Sequence, residues 1–185
     1  WRGEAAGLLK VRWPLHLLRG VLNVSMLALF AYALRELGLA EAYTLFFIAP
    51  LLITALSTVV LREKVRPAHW VAIALGMAGV LVALRPSQEA FFTLGALAVL
   101  GAAAGYAVSA ITGRVLTRTD SSASLVFWTT ALLALGAGAL AWPNWVGVAQ
   151  AHWPLVAGLA VTGFLGQLAI TEAFRHGQAS VVAPF

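Results

Sequence analysis

Apolar residues along this chain run in long blocks, neither alternating nor confined to one helical stripe. Six blocks are long enough to cross a bilayer, at about residues 17–36, 40–61, 67–84, 91–113, 123–143 and 154–174. A seventh opens near Ala179. A helix rises about 1.5 Å per residue against a hydrocarbon core of about 30 Å, so about 20 apolar residues make one crossing. Backbone in lipid must satisfy its own hydrogen bonds, which leaves helices or a closed barrel. Barrel strands are about 10 residues long and alternate in polarity. These blocks are twice that length and rich in Leu and Ala, so they predict helices, here called spans a to g in chain order. The predicted fold class is an all-α, polytopic integral membrane protein with six complete spans and the start of a seventh.

Composition excludes a soluble domain. Of 185 residues, 61% are hydrophobic and 10% charged, against about 25% charged in soluble globular chains. Cysteine is absent, which excludes disulfides, thiolate metal sites and thiol nucleophiles. The net charge of +5 is placed by topology, so no nucleic-acid partner is implied. Arg2, Lys10, Arg12, Arg19, Arg62, Lys64, Arg66, Arg114, Arg118 and Arg175 fall in odd-numbered connections, and only Arg35 and Arg85 in even ones. Lys and Arg accumulate on the cytoplasmic side. Residues 1–19, 62–66, 114–122 and those around 175–178 are therefore expected in the cytoplasm. Trp13, Trp70, Trp142, Trp145 and Trp153 lie at expected interfaces, the depth that amphipathic rings prefer. Trp1 in place of Met, and a last apolar run that has only begun at Phe185, suggest a piece of a longer chain.

An internal repeat adds an architectural expectation. Trp13-Pro14-Leu15 recurs as Trp153-Pro154-Leu155, and the same offset pairs Val21 with Val161, Ala33 with Ala173 and Arg35 with Arg175. Spans a and f are thus related, and f is five places after a in span order, an odd step, so they cross in opposite directions. Inverted repeats of this kind are characteristic of secondary transporters whose site lies between the halves.

Three stretches carry a family resemblance. They are YALRELGLAEAYTLFFIAP over 32–50, LREKVRPAHWVAIALGMAGVLVALRP over 61–86, and AFRHGQASVVAPF over 173–185. The chain resembles the EamA family of the drug/metabolite transporter superfamily. The resemblance implies a ten-helix carrier made of two inverted five-helix units. Residues 1–86 would be helices three to five, and 87–185 helices six to eight with the start of nine. It further implies movement of a small metabolite or drug-like solute, often outward, across a bacterial inner membrane, with no cofactor and no catalysis. The alternative is a structural or assembly membrane protein without a transport cavity.

Polar groups inside the spans are the candidate site. Intramembrane ionisable residues are costly and mark function by default. Glu172 in span f reads as a proton or substrate-amine site, or else as an interfacial carboxylate paired with Arg175 three residues on. Gln167 and Thr171 precede it. Tyr32, Tyr43, Thr44, Tyr106, Trp128, Gln167 and Glu172 are the candidate cavity residues, and Asn23 needs a hydrogen-bond partner within hydrocarbon. Under the resemblance the cavity is bordered mainly by spans a, b, f and g. Pro50 predicts a kink or hinge in span b. Gly101 and Gly105 form a GxxxG face for helix packing, within one molecule or in a homodimer. The four histidines are scattered at loops, no metal-ligand constellation appears, and Asp120 or Ser121 is expected to cap span e.

Overall fold

The computed structural model describes residues 11–85 and 93–182. Every regular element among them is helical. The expected cytoplasmic residues Arg2 and Lys10, the unit boundary at 86–87 and the final Phe185 lie outside the described residues.

Helix α1 runs Trp13–Ala33 with Pro14 in its first turn, where a missing N–H costs nothing. Trp13-Pro14 thus starts the helix ahead of the continuous apolar run, and Arg19 belongs to the helix rather than to the segment before it. Span b is two helices, α2 (Leu39–Phe46) and α3 (Ala49–Val60). Glu41 accepts from the Gly38 N–H at 3.1 Å and closes the start of α2. The ladder changes at Ile48, whose N–H bonds Leu45 O three residues back at 3.3 Å. Pro50 follows in the first turn of α3. Proline there withdraws a donor from the preceding turn, and the span divides just ahead of it.

Helix α4 runs Pro67–Leu84 after an extended Arg66, the conformation that a following proline favours. Its apolar part is the shortest of the set, while five other stretches have the length and hydropathy of a crossing. Arg62 and Arg85 take left-handed backbone (φ 55° and 44°), ending α3 and α4. Helix α5 (Leu94–Leu116) is capped by Thr93, whose Oγ1 accepts from Ala96 N at 3.0 Å. Helix α6 (Ser122–Ala141) is capped by Ser121, whose Oγ accepts from Ser124 N at 3.1 Å. Of the two residues expected to cap this helix, the serine does so. Two 3-10 turns flank the next connection, then α7 (Trp153–His176) and α8 (Ala179–Val182) follow.

Helix α5 is the hub. Its small residues, including Ala98, Ala102, Ala103, Ala107 and Ala110, are buried. Toward one end Val99 and Ala96 meet Ala33, Leu37, Ala42 and Leu45. Toward the other, Ala107 and Ile111 meet Ile53, Phe174 and Ala179. By contrast, Trp153 to Gly166 of α7 are exposed throughout, an apolar surface suited to lipid.

Glycines set the closest helix approaches. A Cβ on Gly136 would lie 2.3 Å from Val24, and one on Gly20 would lie 2.9 Å from Leu132. Helices α1 and α6 therefore interlock, each offering a glycine to the other's branched side chain. Gly101 and Gly105 make ordinary contacts with α1, 3.4 Å to Leu29 Cδ1 and 3.8 Å to Leu22 O. The GxxxG face thus meets α1, but the tightest seam lies between α1 and α6.

Candidate functional site

Polar contacts fasten the two ends of the bundle. At one end, His16 of α1 is fully buried and its Nε2 lies 2.8 Å from Asp120 Oδ2. Thr119 donates to the other carboxylate oxygen at 2.7 Å. Burial works against the Asp120 carboxylate, but hydrogen bonds from Thr119, His16 and the Arg12 N–H outweigh it. The carboxyl is held below its ordinary range. His16 is thus a helix residue tied to the linker between spans d and e, not the loop residue expected.

At the same end, Arg175 gives Nε to Ser122 Oγ at 2.7 Å, Nη2 to Asp120 O at 2.7 Å and Nη1 to Thr117 O at 3.2 Å. Arg114 reciprocates, giving Nη1 to the carbonyls of Phe174 and Arg175. Each arginine satisfies carbonyls at or just beyond the other helix's C-terminus, where helices leave carbonyls unpaired and favour positive charge. Glu63 completes the cluster. Its carboxylate accepts from Ala179 N at 3.1 Å and Ser180 N at 3.3 Å, with Arg114 Nε 3.9 Å away. At the opposite end Glu36, just past the end of α1, accepts from Gly95 N at 2.7 Å and fastens that end to the start of α5.

Between these ends lies a cavity of about 140 Å³, walled by α1, α5, α6 and α7. Arg19, Asn23, Tyr106, Ser109, Thr129 and Gln167 are among the polar residues of a lining that is otherwise apolar. It reaches from the middle of α1, at Asn23, toward the His16–Asp120 end. Asn23 finds the partner it needs in Ser109, whose Oγ donates to Oδ1 at 2.7 Å. That leaves the amide its two N–H donors and one lone pair on the oxygen.

Of the expected cavity residues, Tyr106 and Gln167 line this space, and Tyr32, Tyr43, Thr44, Trp128 and Glu172 do not. Tyr32 is half exposed and donates to Glu36. Tyr43 is exposed, its ring edge-on to Phe30 at 5.4 Å. Thr44 is buried, and its hydroxyl bonds Ala40 O at 2.8 Å. The Trp128 ring meets that of Trp13 edge-on at 4.4 Å while its neighbour Thr129 faces the cavity. Glu172 lies 3.6 Å from the exposed His176, not paired with Arg175, which is committed to the α5–α6 junction. The expected walls were spans a, b, f and g, whereas α5 and α6, spans d and e, take the place of b and g. Pairing of α5 with α1 brings them there, and nothing local in either sequence encodes it.

Sequence reasoning passed over Arg19, Glu63 and the His16–Asp120 pair. The available signal was a charge inside an apolar block for Arg19, and a lone acid in a basic loop for Glu63. Among the described residues no group of three His, Cys, Asp or Glu is arranged to hold a metal.

The EamA-like transporter family model matches residues 1–85. Residues 1–85 belong to the EamA-like transporter family. Beyond that EamA unit, similarity to named transporters extends along most of the chain. It is 28% identical over 172 residues to the pseudopaline exporter of Pseudomonas aeruginosa, covering 92% of this chain and 60% of the exporter. Identity to a riboflavin transporter of Vibrio cholerae is 34% over 172 residues, covering 92% and 57%. An S-adenosylmethionine uptake transporter of Rickettsia conorii is 26% identical over 170 residues, covering 92% and 58%. The chain thus spans at most 60% of the length of these relatives. A solved crystal structure superposes with a TM-score of 0.82 over 98% of this chain and 68% of that one, at 22% identity. At that identity the likeness shows the fold alone.

Proposed function

We propose that the protein containing this chain is a secondary transporter that moves a small metabolite or drug-like solute across a bacterial inner membrane by alternating access. The observation carrying this reading is the cavity between α1, α5, α6 and α7, which gathers several polar side chains in an otherwise apolar bundle. Buried polar groups are costly in hydrocarbon, and a purely structural bundle has no use for an open space lined with them. The contacts that fasten each end supply the two gates such a cycle needs. His16–Asp120, Arg114, Arg175 and Glu63 hold one end, and Glu36 on the start of α5 holds the other. The two inverted units, 1–86 and 87–185, rock about the cavity, and the break ahead of Pro50 is the hinge in span b. The Lys and Arg bias makes the Asp120 end cytoplasmic. Relatives named as an exporter and as uptake transporters fit a cycle whose direction follows the solute gradient. Glu172, beside His176, is the proposed proton-coupling group.

The structural-protein reading has one observation in its favour, the outward placement of Glu172. Metabolite profiles of cells with and without the full-length protein identify a transported solute, whose uptake is then followed in proteoliposomes. Gln167→Leu is expected to slow uptake on the order of tenfold, the worth of one lost hydrogen bond. Glu172→Gln is expected to flatten its pH dependence. Unchanged uptake in Gln167→Leu removes the cavity from the pathway, and unchanged rate and pH profile in Glu172→Gln remove the coupling role.

A further inference from the structure

Among the described residues Arg19 is the one charged side chain in the cavity wall, and no described carboxylate answers its charge. It lies in the seventh position of α1 and is 8% exposed. Its Nε is buried without a hydrogen-bond partner, and among the described residues no carboxylate pairs with it. A buried guanidinium is expected to be paired, because it carries five donors, no acceptor and a permanent charge. Arg114 and Arg175, next in sequence to the wall residues Gly113 and Phe174, both meet that requirement by giving terminal guanidinium nitrogens to carbonyls, although the Arg114 Nε is likewise without a hydrogen-bond partner. Arg19 does not.

The surrounding wall is built for the same sign of guest. Among the described residues no acidic one lines the cavity. Asn23 has one oxygen lone pair taken by Ser109 and presents donors, and the Thr129 hydroxyl is buried with no partner. Tyr106 and Gln167 add further polar hydrogens to the wall. Gly113 makes room for the guanidinium, since a Cβ there would meet Arg19 Cζ at 3.2 Å. A preorganised Arg fork with neighbouring neutral donors matches a planar anionic oxygen group in two-point contact. Size limits the rest of the guest. The cavity volume is about 140 Å³, and an apolar protein cavity of about 150 Å³ holds one benzene molecule.

We propose that this cavity is an anion subsite in which Arg19, with Asn23 and Thr129, binds the carboxylate or similar oxyanion of a small organic acid about the size of a single ring. The proposal builds on the carrier reading by naming the chemical class of its solute, yet it is tested by binding alone. Benzoate and benzamide share shape and differ in charge. Binding of each to the purified full-length protein is measured by tryptophan fluorescence in nanodiscs of zwitterionic lipid, a comparison that needs no variant. Benzoate is expected to bind about tenfold or more tightly than benzamide, the scale of one charge-assisted contact. Arg19→Gln is expected to abolish that preference and Arg19→Lys to keep part of it. Thr129→Val, nearly isosteric, is expected to weaken benzoate several-fold and serves if the Arg19 variants fail to fold. Equal binding of benzoate and benzamide overturns the proposal, as does a preference that survives in folded Arg19→Gln. Loss of benzoate binding in nanodiscs containing anionic lipid assigns the site to a lipid headgroup and also overturns it. If solutes cross the membrane but the two probes bind alike, the anion subsite fails and the carrier stands. If benzoate binds as expected and no solute crosses, the reverse holds.

Discussion

His16 and Asp120 show what a single contact does at the end of this bundle. They meet at 2.8 Å with almost no solvent access, and the folded state holds the Asp120 carboxyl below its ordinary range. The sign of the pH dependence follows. A depressed carboxyl binds its proton less readily in the fold than in the unfolded chain, where its value is about 3.9. Its contribution is therefore complete above that value and is lost as pH falls through the lower, folded one. Asp120→Asn is expected to cost about 1–3 kcal/mol at neutral pH, because it disrupts the acceptor of a buried pair. Thermal unfolding of the detergent-solubilised protein should then change less between pH 7 and pH 3 in the variant than in the parent. Equal acid sensitivity of the two proteins would place the dependence elsewhere. Residue-level chemistry was only partly readable beforehand. Asn23 announced its need for a partner, but Ser109 is 86 positions away and only packing selects it.

At the scale of elements, the starts and stops follow from local chemistry. Trp-Pro opens both α1 and α7, Ser121 caps α6, and proline opens α4. Packing between elements depends on small residues facing branched ones. The seam between α1 and α6 is the tightest, and Gly136 has no room for a methyl group beside Val24. Gly136→Ala is expected to destabilise the bundle by about 1–3 kcal/mol through overpacking, read as a lower unfolding temperature in detergent. Gly138, with nothing within 4 Å of its missing Cβ, provides the matched control, and Gly138→Ala is expected to leave that temperature nearly unchanged. Similar behaviour of the two variants would show that the seam is not sterically limiting. The GxxxG motif was the visible glycine pattern, yet motif spacing reports only which faces are small. Which face meets a bulky neighbour depends on the partner helix.

For the whole molecule, the contacts sort the helix ends into two faces. The start of α1, the ends of α3, α5 and α7, and the start of α6 share the Asp120 face. The end of α1 and the start of α5 share the Glu36 face. Single cysteines placed at Arg35 and Arg175 in a cysteine-free version of the full-length protein are expected to react with an impermeant reagent from opposite sides of the membrane. Labelling from one side would refute the inverted relation of spans a and f. Hydrophobic blocks, basic residues and capping signals were enough to determine the membrane class, the helices and their approximate ends. These properties are additive along the chain, because lipid rewards apolar length whatever the neighbours are. The cavity was decided elsewhere. Tyr106 and Gln167 entered it, Tyr43 and Glu172 did not, and Arg19, counted as a flanking charge, became part of its wall. Inside lipid every helix is apolar nearly all round, so sequence periodicity does not say which side turns inward. Close packing around α5 makes that choice, and with it decides which polar groups face a common space.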